Sequence, residues 1–327
     1  MYRYGILIFF IASACNSSAN GTDAEGTTDD GPPTLTGDTE CQQALLFPEL
    51  TAHAANGAYA DPWVVAACED DSLVVAANGI PDFEFIEMTP NGLAAQDWNW
   101  EITLNPQVAA ATTDVPLLGT IGFSVTGLPL FGPNEGAFPD PYGDPVYNSI
   151  VDQCLGHTAQ GGMYHFHAML VQCITGAIES PEAIVGYAMD GFPIYGTMGC
   201  LDTDCNDVVE FESSWDQTGD PTTYAWDNYS YSAKNGEQFL DECNGRVGPD
   251  GTYRYHITPT FPYLLGCYAG TAVDGGGGDP GGGEDPGDGG GVGDPPDCDD
   301  VPAGMPCCGD DICDGPETAD NCSVDCT

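Results

Sequence analysis

Trp98-Asn99-Trp100-Glu101-Ile102-Thr103-Leu104 alternates large apolar and polar side chains along its length. Successive side chains of a β-strand point to opposite faces, so the run reads as a strand with one face buried. Asp82 to Met88, Ile121 to Val125 and Tyr253 to Ile257 read the same way, and Val185–Met189 with Pro193–Tyr195 reads as a strand pair about a turn at Asp190-Gly191. Turn residues recur at short intervals, as in Asn91-Gly92, Asn134-Glu135-Gly136 and Pro249-Asp250-Gly251. Only Gln42 to Ala55 and Pro181 to Val185 suggest short helices. The expected fold is mainly β: a disulfide-stabilised β-sandwich or barrel-like domain with short helices, followed by a small disulfide-rich tail module.

The composition divides the chain into five stretches. Residues 1–15 read as an export signal: Gly5 to Ile11 is apolar but far shorter than the ~18 residues of a membrane span. Ala12-Ser13-Ala14-Cys15 resembles a bacterial lipobox, with Cys15 as the lipidated residue; ordinary cleavage near Ala14 is the alternative. Residues 16–40 hold almost nothing to bury and read as a disordered tether. Residues 41–270 carry the regular apolar patterning and form the folded domain. Residues 271–297 are nearly all Gly, Asp and Pro, a linker extended by its own charge. Residues 298–327 form a Cys/Asp-rich module.

Setting Cys15 aside leaves fourteen cysteines, eight in the domain and six in the tail. Even numbers in an exported chain imply disulfides. Cys154 and Cys173 bracket one histidine-rich stretch, and Cys243 and Cys267 bracket another. Pairing by locality joins these and leaves Cys41–Cys68 and Cys200–Cys205, one choice among on the order of a hundred connectivities.

The 51 acidic residues face only 4 basic ones, for a net charge of −47. That balance argues against nucleic acid, whose phosphates require a basic face. It argues equally against electrostatic binding to anionic lipid, so the expected membrane contact is the lipid at Cys15 alone. The charge suits a soluble exported protein, either secreted or held at the cell surface, with a surface or matrix partner that the residues do not name.

Histidine is scarce, with five residues, yet four of the five sit at two near-repeated tetrads. The first is Tyr164-His165-Phe166-His167, with His157 upstream; the second is Tyr253-Arg254-Tyr255-His256. On an extended strand His165 and His167 share a face, their Cα atoms about 7 Å apart. Were the two tetrads neighbours, His157, His165, His167 and His256 would converge. Such a set suits Cu, Zn or Fe and does not suit Ca or Mg. Asp152, Asp190, Asp241 and Glu242 are candidates to ligate directly or to orient an imidazole. Arg254 could pair with Asp190 or Asp241, or hold an anion. The plainer reading is a polar network that locks strands together without metal. Trp98, Trp100, Trp215 and Trp226 could form a sugar platform, although tryptophans more often fill cores.

The series Asp152-Gln153-Cys154-Leu155-Gly156-His157, Gly161-Gly162-Met163-Tyr164-His165-Phe166-His167, Gly186 to Gly196, Leu240 to Gly245, Tyr253 to His256 and Pro262 to Cys267 resembles the YHYH-domain family of secreted and surface proteins. Leu118 to Phe131 fits the run ahead of that family's first histidines, so the resemblance covers about residues 70–270. In the family the Tyr-His-Tyr-His tetrad occurs twice. Here Phe166 stands for a Tyr, and Arg254 stands for a His, which removes one possible ligand. The resemblance names a domain and no reaction.

In the tail, Asp310, Asp311, Asp314, Glu317, Asp320 and Asp325 supply hard oxygen donors suited to Ca, without EF-hand spacing. No hydrolase elbow, zincin helix, P-loop or dinucleotide fingerprint is present in the sequence. Three functional classes stand: a metal-binding domain with copper or zinc, a metal-dependent extracellular enzyme, and a structural or adhesive surface module whose histidines are scaffold.

Overall fold

A computed structural model of the chain describes residues 31–137, 140–177 and 180–273. The signal and Cys15, most of the tether, nearly all of the linker and the whole Cys/Asp-rich module with its six acidic candidates lie outside the described residues. Asp38 already pairs with Cys68 through a backbone bridge, so chain order begins ahead of Cys41.

The strands β1 (Val64–Glu69), β2 (Ser72–Ala77) and β3 (Trp98–Thr103) form an antiparallel sheet in that order. In β3 the alternation is realised: Trp98, Trp100 and Ile102 are buried and Asn99 and Glu101 are exposed. The Trp98 and Trp100 rings stack at 5.3 Å, and Trp100 stacks on Phe123 of the next sheet at 4.7 Å. This aromatic column joins the two sheets as in a sandwich. It also removes Trp98 and Trp100 from any sugar platform.

The larger sheet draws on β4 (Thr120–Ser124), β5 (Pro129–Phe131), β6 (Gly156–Thr158), β7 (Tyr164–Phe166), β8 (Ile184–Ala188) and β9 (Pro193–Tyr195). Two small hairpins follow, β10 (Met198–Cys200) with β11 (Val208–Glu210) and β12 (Trp215–Gln217) with β13 (Tyr229–Tyr231). Then β14 (Gly245–Val247) and β15 (Tyr253–His256) complete the eight-stranded order β14-β15-β9-β8-β4-β5-β7-β6. From the central β8–β4 pair outward the two halves have the same connectivity. The hairpins β4–β5 and β8–β9 are antiparallel, β7 and β15 add in parallel to β5 and β9, and β6 and β14 close the edges antiparallel.

Glycine makes the central pairing possible. An added Cβ would lie 2.5 Å from the Tyr187 carbonyl oxygen at Gly122 and 2.5 Å from that of Phe123 at Gly186. Backbone cannot yield as a flexible side chain can, so both strands need glycine at these points of their antiparallel pairing.

Two expectations need correction. Asp82 to Met88 is not a strand. Its backbone is held by a side chain instead: the Asn56 amide donates to the Phe83 carbonyl at 2.7 Å and accepts from the Phe85 amide at 3.0 Å. Alternation alone does not supply a neighbouring strand. Pro181 to Val185 is not helical either; β8 starts at Ile184, and its Val185 side chain is wholly buried. Within Gln42 to Ala55 the helix is confined to a single 3₁₀ turn at Ala44–Leu46 and the start of another at Ala54–Asn56. The disulfides are the four expected from locality: Cys41–Cys68, Cys154–Cys173, Cys200–Cys205 and Cys243–Cys267.

Replacing Gly122 with Ala is expected to lower unfolding stability by about 1–3 kcal/mol in urea titration, the usual cost of overpacking. Gly92→Ala, where an added Cβ meets nothing within 4 Å, should stay within about 0.5 kcal/mol of the parent. Equal effects at the two positions would contradict this account of the sheet centre.

Candidate metal centre

The β6–β7 hairpin turns through Gly161 and Gly162, both at positive φ (85° and 79°), a conformation natural to glycine. Register then sets His157 opposite His165. The aromatic members of the tetrad face the core, where Tyr164 packs edge-on to Phe83 and Phe85. A buried carboxylate locks the hairpin base. The Tyr164 hydroxyl donates to both oxygens of Asp152 at 3.0 Å, and Asp152 also accepts from the amides of Cys154 at 2.8 Å and Gly156 at 3.3 Å. The Cys154–Cys173 disulfide fastens the same corner.

On the opposite face the three imidazoles meet a carboxylate. Donor atoms of Glu135, His157, His165 and His167 all lie within 4.8 Å of one another. Glu135 sits in the loop after β5, its amide donating to Asp140 at 3.1 Å. Each histidine has its Nδ1 against a backbone carbonyl: His157 on Ile150 at 2.8 Å, His167 on Gly132 at 3.1 Å and His165 on Met163 at 3.3 Å. A carbonyl only accepts, so each Nδ1 carries the proton and each Nε2 presents a lone pair. Those lone pairs face inward. Nε2 of His165 and Nε2 of His167 are 3.0 Å apart, and Glu135 Oε2 lies 3.0 Å from His157 Nε2 and 3.2 Å from His167 Nε2. With all three imidazoles neutral, three lone pairs and one carboxylate oxygen converge with no proton among them, an arrangement that a cation, or a proton on His157 facing Glu135, satisfies.

The electrostatics agree. Burial alone would raise the Glu135 carboxyl, but the imidazoles of His157 and His167 outweigh it and hold the group well below the usual carboxylate range. Burial opposes charge on His157, yet the Glu135 contact prevails and raises its affinity for a proton. His165 and His167 are both lowered, first by burial and also by the neighbouring imidazoles. The cluster therefore favours one positive charge and resists a second.

The structure brings together His157, His165 and His167 and leaves His256 elsewhere. Strands β7 and β15 are separated by β5, β4, β8 and β9, so the two tetrads cannot converge. His256 instead places Nδ1 on the Gly196 carbonyl at 2.8 Å and accepts from Arg246 Nε at 3.2 Å; burial, with the two arginines, lowers it to about 3. Asp152 and Asp241 hold tyrosines and turns, Asp241 taking the Tyr253 hydroxyl at 2.9 Å. Asp190 takes the Tyr255 hydroxyl at 2.5 Å and the Gly270 amide at 2.9 Å. None of these three aspartates belongs to the cluster. Arg254 pairs with Glu182 and with Asp250, not with Asp190 or Asp241. Glu242 is exposed beside Cys243 and Cys267, whose sulfurs are committed to each other. Glu135 was not anticipated. It is one of 51 acidic residues, in a turn sequence that reads only as a turn.

Comparison with known proteins places this centre inside a family model described as YHYH protein, which matches residues 99–270. The match starts within β3, later than the residue-70 start expected from the sequence blocks. No curated protein and no solved structure matches the chain.

Tyr164→Phe removes one charge-assisted hydrogen bond from Asp152 and should lower stability by about 1.5–3 kcal/mol in denaturant titration. A variant as stable as the parent would show that the Asp152–Tyr164 lock does not hold the hairpin.

Proposed function

This chain belongs to the YHYH protein family, and on that footing we propose that its domain binds one transition-metal ion, copper or zinc, through Glu135, His157, His165 and His167. The observation that carries the reading is the inward convergence of three Nε2 lone pairs on one carboxylate, with every Nδ1 committed to a backbone carbonyl. Imidazole donors suit copper, zinc and iron, while the hard ions calcium and magnesium prefer all-oxygen sets. Without metal, the 3.0 Å approach of the His165 and His167 Nε2 atoms needs a proton on one of them, which costs that ring either its Nδ1–carbonyl hydrogen bond or a charge that burial opposes.

Binding without catalysis ranks above a metal-dependent enzyme. Four protein donors fill a four-coordinate ion, whereas a catalytic zinc keeps a position open. The histidine side chains are buried, and the Glu135 side chain alone in the set retains sizeable exposure, 19 %. An ion held there would tie the loop after β5 to β6 and to the end of β7. The four disulfides support an exported location, with Cys15 as lipid anchor or with release of the cleaved chain.

The full chain, produced in an oxidising compartment without a polyhistidine tag, is expected to carry about one equivalent of copper or zinc, and chelation should lower its melting temperature. His165→Ala with His167→Ala should abolish binding while the disulfides keep the fold, and Glu135→Ala should weaken it at least about tenfold. Absence of metal after reconstitution with copper, zinc and iron would overturn the proposal.

A further inference from the structure

The sheet's two halves match in sequence as well as in connectivity. Gly122, Gly127, Pro129 and Gly132 correspond at constant spacing to Gly186, Gly191, Pro193 and Gly196. Asp152, Cys154, Gly156, Tyr164 and His167 correspond likewise to Asp241, Cys243, Gly245, Tyr253 and His256. On this alignment His157 and His165 fall on Arg246 and Arg254.

The structural correspondence is close. Arg246 pairs with Arg254 in register as His157 pairs with His165. Tyr253 donates to both oxygens of Asp241, as Tyr164 does to Asp152. Asn244 (φ 65°) repeats the left-handed turn of Leu155 (φ 69°). His256 sends Nδ1 to the Gly196 carbonyl as His167 does to that of Gly132. The Phe131 ring lies 4.1 Å from the His165 ring, and the Tyr195 ring lies 4.4 Å from the Arg254 guanidinium.

The difference lies where the first half directs its lone pairs. The Nε2 lone pair of His256 is capped by Arg246 Nε at 3.2 Å. The carboxylate comes from a different element, Glu182 just ahead of β8, and it meets Arg254 directly and Arg246 at 4.0 Å. The residue after β9 that would answer to Glu135 is Gly199. Asp250 adds a second carboxylate 2.6 Å from Arg254. With two carboxylates already bound to two guanidiniums, the cluster is not an anion site. It has the donors of a cation site and supplies the cation from the chain itself. Arg246 and Arg254 are two of only 4 basic residues in the protein.

We propose that the domain is a duplicated metal-binding frame whose second copy is filled by the guanidinium groups of Arg246 and Arg254, so that exchanging both for histidine turns Glu182, His256 and the two new imidazoles into a second metal site. This rests on the reading of the first cluster as a metal centre. It leaves the natural domain, among the described residues, one such histidine site and makes the arginines structural counterions for Glu182.

The test compares four full-length proteins: the parent, His165→Ala/His167→Ala, Arg246→His/Arg254→His, and the combination of all four changes. Each is loaded with cobalt(II) or zinc(II), and metal content and the cobalt ligand-field spectrum are read. The expected stoichiometries are about one, none, two and one equivalents in that order. An Arg246→His/Arg254→His protein that folds and still holds no more than the parent overturns the inference while leaving the first centre intact. A parent without metal, beside an arginine-to-histidine variant that gains one equivalent, overturns the first centre and supports the second. No metal in either overturns both. If the arginine-to-histidine protein folds only when cobalt or zinc is present, the inference is supported; if it folds under neither condition, the inference fails.

Discussion

Strands β4 and β8 pair antiparallel at a closeness that only glycine allows at two positions, and this constraint positions everything else in the larger sheet. Gly122 and Gly186 each face the other strand's backbone, where any side chain would collide with a carbonyl oxygen. Once β4 and β8 are paired, their hairpin partners β5 and β9 are driven outward in opposite directions. The parallel additions β7 and β15 follow, one at each side. The two tetrads are therefore held apart by the fold, and each must satisfy its own buried polar groups from its own half.

The halves meet that demand differently. In the first, Glu135 and three imidazoles are left with converging acceptors, and burial makes unpaired polar groups costly. Charge is favoured there only once, on His157 or as an ion. In the second, Glu182 is neutralised by two guanidiniums that also stack on Tyr195 and Phe211. Arg246 and Arg254 are largely buried and occupy the acceptor side of Glu182, so the second half is satisfied as built and closed to other cations.

Much of this was legible in the sequence, and the failures share a cause. Local alternation located β3, β4 and β15, and for an extended Tyr164 to His167 it put His165 and His167 on one face, because strand periodicity is a property of neighbouring residues. Disulfide locality paired all eight domain cysteines for the same reason. Strand order is not local. Nothing in Tyr253 to His256 indicates that four strands separate it from β7, so local pattern alone groups His256 with histidines it does not meet. Glu135 was invisible because a turn glutamate in a chain of 51 acidic residues carries no distinguishing pattern. The run Asp82 to Met88 alternates as a strand does, yet a single buried asparagine, Asn56, occupies the backbone groups that a neighbouring strand would have used.

The most direct test of the central claim is X-ray absorption spectroscopy at the metal edge of the copper- or zinc-loaded protein. The account predicts a shell of nitrogen and oxygen at about 2.0–2.2 Å with the multiple-scattering signature of about three imidazoles and no sulfur. A sulfur shell at about 2.3 Å, or an oxygen shell without imidazole scattering, would place the ion elsewhere and contradict a centre built from Glu135, His157, His165 and His167.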